Sequence, residues 1–138
     1  MEKAYRRDNK RGAEGMGLNY FFDSYAIIEI IKNNQNFLPY MDEEISISLF
    51  NLAEIYWSAL LDHEKEKADN IYSKFRENVI EIDDETLREA IQFRKEHKKQ
   101  DLSYTDCIGY ICAKRNGLKF LTGDSKFEHL PFVEFVKK

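Results

Sequence analysis

Short apolar runs alternate along this chain with longer segments of helical periodicity, and no other feature constrains the fold as much. Leu18 to Phe22 reads as a short buried strand bounded by Gly17 and Asp23. The next segment, "SYAIIEIIKNN", places Ala26, Ile27, Ile30 and Ile31 at helical spacing. Asp23 or Ser24 is a suitable cap for it. "NFLPYMDEE" is a loop or a short broken helix around Pro39. Residues 45–50, "ISISLF", alternate with period two and are rich in Ile, so they read as a strand. From Asn51 the pattern turns helical, with Leu52, Ile55, Tyr56 and Leu60 on one face, through roughly Phe75.

"NVIEI" reads as a third strand. "DDETLREAIQFRKEHKK" opens with acids and closes with bases, as a helix dipole favours. Another helix runs from about Ser103 to a stop at Asn116 and Gly117. "LKFLT" is a fourth strand, "DSKFEHL" a turn or short helix, and "FVEF" a last edge strand. Strands alternating with helices predict an α/β fold, a three-layer α/β/α sandwich on a mainly parallel sheet. In such sheets ligands bind outside the carboxyl ends of the strands. That rule draws attention to the residues that end each apolar run.

A chain of 138 residues suits one domain with a real core. No apolar run approaches the roughly 20 residues of a membrane span, and the charged start lacks the apolar core of a signal peptide. Cys107 and Cys112 share one helical segment, a spacing that suggests buried small hydrophobes rather than a disulfide. A cytoplasmic location fits. Residues 1–15 lack apolar periodicity and carry five basic and three acidic residues, so they read as a flexible tail before a domain over 16–138, with Met16 a candidate start. Removing that +2 segment from the total of −4 leaves −6 on the domain. Bulk charge is therefore not that of a polyanion binder, and any handling of nucleic acid requires cations to screen the acids.

Two apolar runs deliver a carboxylate at their tips: "NYFFD" ends at Asp23, and "LTGD" ends at Asp124 after Gly123, which allows a tight bend. Glu54 lies one turn into the helix after "ISISLF", among Leu52, Ala53, Ile55, Tyr56 and Trp57. Asp106 lies near the start of its helix, again amid apolar residues. Each acid has an ordinary explanation. Asp23 serves as a helix cap, Asp124 as a turn residue, Asp106 as a charge answering the helix dipole, and Glu54 as part of a mixed face. Their conjunction at one end of the sheet carries more weight. Uncompensated carboxylates in one cleft repel, so they take up protons or share cations. No Lys or Arg lies within three residues of Asp23, Glu54 or Asp106. Mg2+ or Mn2+, hard cations that prefer oxygen ligands, answer that need. Such ions favour phosphate substrates and assist phosphodiester hydrolysis. Lys114, Arg115, Lys119 and Lys126, or the helix with Arg88, Arg94, Lys95, Lys98 and Lys99, are candidates to hold a nucleic-acid backbone, although each alone reads as a solvated face.

At these residues the chain resembles the PIN domain, and within it the VapC-type toxin ribonucleases of prokaryotic toxin–antitoxin pairs. The likeness runs over most of residues 18–136. "YFFDSYAII" resembles the opening strand with its Asp, and "SLFNLAEIYWSAL" the helix with its Glu. "LSYTDCIGYICAKRNGLKFLTGDSKF" resembles the last two blocks, ending in Thr-x-Asp with a Phe three residues on. The resemblance implies that Asp23, Glu54, Asp106 and Asp124 are catalytic. It makes Asp23 and Asp106 the most direct metal ligands, and Thr122 and Ser24 supporting hydroxyls. It further implies Mg2+- or Mn2+-dependent endoribonuclease activity on single-stranded or structured RNA, a homodimer, and an inhibiting antitoxin partner. Lys126 departs from those members that carry a further acid at this position, which questions a second-metal ligand.

Rival readings fare less well. A haloacid-dehalogenase-type phosphatase needs an acid where Tyr25 stands, and a response-regulator receiver fits the spacing poorly. His63, His97 and His129 are too scattered for a zinc module. The main alternative is a PIN-fold RNA-binding or scaffold protein that keeps the acids and does not cut.

Overall fold

The computed structural model describes residues 19–137; the expected tail at 1–15 and the start of the first strand at Leu18 lie outside them. The sheet contains β1 (Tyr20–Phe22), β2 (Ile45–Ser46), β3 (Lys119–Thr122) and β4 (Val133–Phe135). Its order is β2-β1-β3-β4 and every pairing is parallel. The helices are α1 (Ser24–Ile31), α2 (Leu49–Asp62), α3 (Lys65–Arg76), α4 (Asp84–Glu96) and α5 (Tyr104–Arg115).

Alternation within the two central strands creates the layers. Phe21 pairs in register with Phe120, and Phe22 with Leu121. Side chains alternate across a strand, so one pair faces each way. Phe21 and Phe120 pack with Ala90 of α4 and the run Cys107–Ala113 of α5. Phe22 and Leu121 pack with Ala26, Ile27 and Ile30 of α1, Leu52 and Ile55 of α2, and Phe75 of α3. Each of these large side chains contributes about 1.5–3 kcal/mol on burial. Helix α5 is buried from Cys107 to Ala113 because it lies between the sheet and α4, and both cysteines are buried and free. This is the expected three-layer α/β architecture.

Three boundaries differ from the sequence expectation. The run at 45–50 is strand only at Ile45–Ser46. Ser48 Oγ accepts from Asn51 N at 3.2 Å, and Asn51 Oδ1 accepts from Ser48 N at 2.9 Å. This capping box starts the helix at Leu49 and overrides the alternating pattern. "NVIEI" forms only an isolated parallel bridge, Val79 to Ile47, because the short β2 offers no longer partner. The helix expected from Asn51 to Phe75 is broken at His63, whose backbone is extended. An unbroken helix over that span would be about 40 Å long, beyond the ~30 Å width of a small domain. The break folds α3 back on α2, so Tyr56 donates to Asp69 at 2.6 Å and Phe75 reaches the core.

Gly109 brings α5 close to the sheet. A Cβ there would lie 2.9 Å from the Phe21 ring and 3.0 Å from the Phe120 ring. Among the described residues the left-handed glycine is Gly117, at φ 68°, which ends α5 and turns the chain into β3. Gly123 does not take a positive φ.

Candidate active site

Asp23, Glu54, Asp106 and Asp124 line a single cleft of about 600 Å3 at the carboxyl end of β1 and β3. The structure thus brings together the acids singled out in the sequence, and each arrives by a local rule.

Asp23 follows β1 directly. Its backbone N donates to Leu121 O at 3.0 Å, continuing the parallel ladder by one residue. Its Oδ1 accepts from Ala26 N at 2.7 Å, capping α1. Its Oδ2 accepts from the hydroxyl of Thr122, the last residue of β3. The residue is 3% exposed. Burial raises its carboxyl to about 7, against the hydrogen bonds from Thr122 and Ala26, and the charges of Asp106 and Asp124 push it the same way.

Asp124 sits two residues past Thr122. Its backbone N donates to Thr122 Oγ1 at 3.0 Å, and its Oδ1 accepts from Lys126 N at 2.9 Å. It caps the single turn Ser125–Phe127, and Phe127, fully buried against Phe120, anchors that turn. The ordinary reading of Asp23 as a cap and Asp124 as a turn residue is therefore correct, and the same bonds aim both carboxylates into the cleft.

Asp106 occupies the first turn of α5, with its N donating to the capping Ser103 Oγ at 3.0 Å. Burial raises its carboxyl to about 6. Asp124 and Glu54 add to the rise, while Ser103 and Lys126 oppose it. Glu54 reaches across from α2 and accepts from Ser24 Oγ at 2.5 Å. Asn51 Nδ2 in turn donates to Ser24 Oγ at 2.9 Å. Ser24 is thus held between α1 and the capping box of α2.

Sequence reasoning does not single out Asn51 and Ser103 as part of the site. Both belong to capping patterns, Ser48-x-x-Asn51 and Ser103-x-x-Asp106, that are legible as helix starts. Of the basic candidates, Lys126 lines the cleft, where its Nζ donates to Asp101 O at 3.2 Å. Lys114 and Arg115 lie at the far end of α5 and pair with Glu85 and Glu89. Lys119 opens β3 at the opposite end of the strand from the cleft.

The donor set suits a hard cation. It is made of carboxylate oxygens, and among the described residues none of the acids forms an ion pair with a basic side chain. Also among the described residues, no three ligand-type side chains already close on one point. The acids share a cleft and are not a finished cage. Mg2+ uses few protein carboxylates and keeps several waters, so an open acidic cleft matches it better than a closed cage.

The PIN domain family model matches residues 20–133. None of the curated proteins matches the chain. Among solved structures, the fold is similar to that in a toxin–antitoxin complex from Klebsiella pneumoniae. The TM-score is 0.69 at 22% identity, over 84% of this chain and 96% of that one. It is also similar to VapBC2 from Rickettsia felis bound to a DNA fragment from their promoter. There the TM-score is 0.65 at 17% identity, over 87% of this chain and all of that one (100%). At these identities the likeness is one of fold.

Proposed function

The chain belongs to the PIN domain family, and from that premise we propose that it is a metal-dependent endoribonuclease, the toxin of a VapBC-type toxin–antitoxin pair. One observation carries the reading: Asp23, Glu54, Asp106 and Asp124 share one cleft, with Asp23 buried and fixed from two sides. The fold likeness to toxin–antitoxin complexes supports an antitoxin as partner. A homodimer is part of the same proposal. Among the described residues no helix is long and apolar enough to cross a membrane.

Asp23 and Asp106 would hold Mg2+ or Mn2+, with Glu54 and Asp124 completing the site directly or through water. When bound, the ion would neutralise charge developing on the phosphodiester and make a water more acidic. Thr122 fixes the orientation of Asp23 and ties it to the backbone of Asp124. Ser24 fixes Glu54. The Lys126 ammonium at the cleft provides a positive contact for a phosphate oxygen.

The test is a cleavage assay on a panel of RNAs with Mg2+ and with Mn2+. Cutting that disappears in Asp23→Asn, in Asp106→Asn and in excess EDTA is the expected result. Unchanged cutting by either purified variant, or in EDTA, would sink the mechanism. RNA binding without metal-dependent products would instead identify a non-catalytic PIN-fold scaffold.

A further inference from the structure

Carboxylates are not the only feature of the cleft. Tyr25 and Trp57 also line it, together with Lys126. Trp57 is 64% exposed and Tyr25 41% exposed. Trp57 stands three residues beyond Glu54 on α2, so the two share one helical face. Among the described residues the indole has no hydrogen bond and no ring partner. A large aromatic surface is thus presented in a cleft that is otherwise lined by carboxylates, serine hydroxyls, Lys126, Tyr25, Gly123 and Ile28.

We infer that Trp57 is the stacking platform for an unpaired base of a single-stranded RNA, positioned beside the phosphodiester that the carboxylate cleft holds. The inference rests on the ribonuclease reading and adds a substrate-contacting residue to it. Every nucleobase has a π-face, so an exposed indole binds bases with little sequence preference. Within a duplex each base is already stacked and paired, so the platform selects RNA whose base is free to turn toward it. Lys126, the one basic side chain among the described residues lining the cleft, supplies a phosphate contact. Together they add an aromatic face and a cation to the acidic cleft, the combination by which single strands are held. Phe50, Leu60 and Leu61, also exposed, stand at helical spacing from Trp57 on α2, and of these four side chains Trp57 alone lines the cleft.

The chain contains one tryptophan, so its fluorescence reports this site alone. The first arm titrates Asp106→Asn protein, in Mg2+, with a mixed-sequence RNA oligonucleotide and with the same strand annealed to its complement. Saturable quenching by the single strand, at least about ten-fold tighter than by the duplex, is expected. The second arm measures cleavage by otherwise native protein. Trp57→Ala and Trp57→Leu should raise KM about ten-fold while kcat changes much less, on the scale of one lost base stack. Trp57→Phe, which keeps a ring, should recover most of that loss. Cleavage with an unchanged KM in Trp57→Ala and no quenching by RNA would overturn the inference and leave the ribonuclease reading standing. Equal performance of Leu and Phe would also overturn it, because an apolar contact or a protein partner needs no π-face. Quenching by single strands, with no cleavage of any RNA by the native protein, would keep the platform and remove the ribonuclease reading.

Discussion

The hydroxyl of Thr122 donates to a carboxylate oxygen of Asp23, although the two residues are 99 positions apart in the chain. Parallel pairing makes this possible. Phe22 registers with Leu121, so the residue after one strand and the last residue of the other stand side by side. The same hydroxyl accepts from Asp124 N, so one small side chain sets the positions of two acids.

Thr122→Val should therefore lower cleavage about ten-fold or more while preserving the fold. It should also cost about 1–3 kcal/mol of stability, the usual penalty for a buried polar group that loses its partner. Thr122→Ser restores the hydroxyl and should recover most of both. A Val variant with native cleavage rates would show that Asp23 does not need this bond.

The raised carboxyls make stability depend on pH in a defined direction. Asp23 sits at about 7 and Asp106 at about 6, against an ordinary 3.8. The folded state therefore holds these protons more tightly than the unfolded chain. That contribution is fully present below pH about 4 and is lost as pH rises through 6 to 7. In EDTA, denaturation midpoints should fall across that window, and the fall should be smaller in Asp23→Asn. Asp69, Asp83 and Glu89 have lowered values and act in the opposite sense, but only as pH drops below the ordinary carboxylate range. Identical slopes in the native protein and in Asp23→Asn would refute the assignment.

Divalent cations should reverse that loss. A ligand that binds only the folded state at 100 times its Kd stabilises by about 2.7 kcal/mol. Titration with Mn2+ at pH 7.5 should thus raise the thermal midpoint of the native protein, and Asp106→Asn should shift it far less. An equal rise in both would place the ion elsewhere.

Much of this site is legible in the sequence, because its parts obey local rules. Asp23 and Asp124 each follow an apolar run, and Asp106 opens a helix with a Ser three residues before it. The three-layer order follows from strand and helix periods. Alternation at 45–50 overstates the strand there because Ser48 and Asn51 form a side-chain capping box, which period counting does not weigh. The break at His63 is hidden for a different reason: no Gly or Pro marks it, the polar run "DHEKEK" at 62–67 also suits a solvated helix turn, and the width of the domain forces the chain to fold back. Nearness in sequence suggests the basic residues of α5 for the site, whereas the helix carries them away from the cleft and into pairs with α4. The hydroxyl bridges from Thr122 and Ser24 depend on strand register and helix crossing. The residues' types suggest them only through family likeness.

Gly109 offers a test of how closely packing and the site are coupled. It lies one turn beyond Asp106 on α5, and the missing Cβ is what lets the helix approach the rings of Phe21 and Phe120. Both rings are fully buried and belong to the same core, so neither can move aside freely. Gly109→Ala should cost about 1–3 kcal/mol, the range for overpacking a core, and should displace the first turn of α5 enough to lower cleavage. Gly117→Ala is the control. Its Cβ meets nothing within 4 Å, but the backbone stands at φ +68°, so the left-handed strain should cost about 1–2 kcal/mol with cleavage unaffected. Denaturation midpoints and cleavage rates of the two variants separate the cases. Equal stability loss with activity lost only in Gly109→Ala would tie Asp106 to the fit of α5 against the sheet. Full activity in both would show that the site tolerates a shift of that helix.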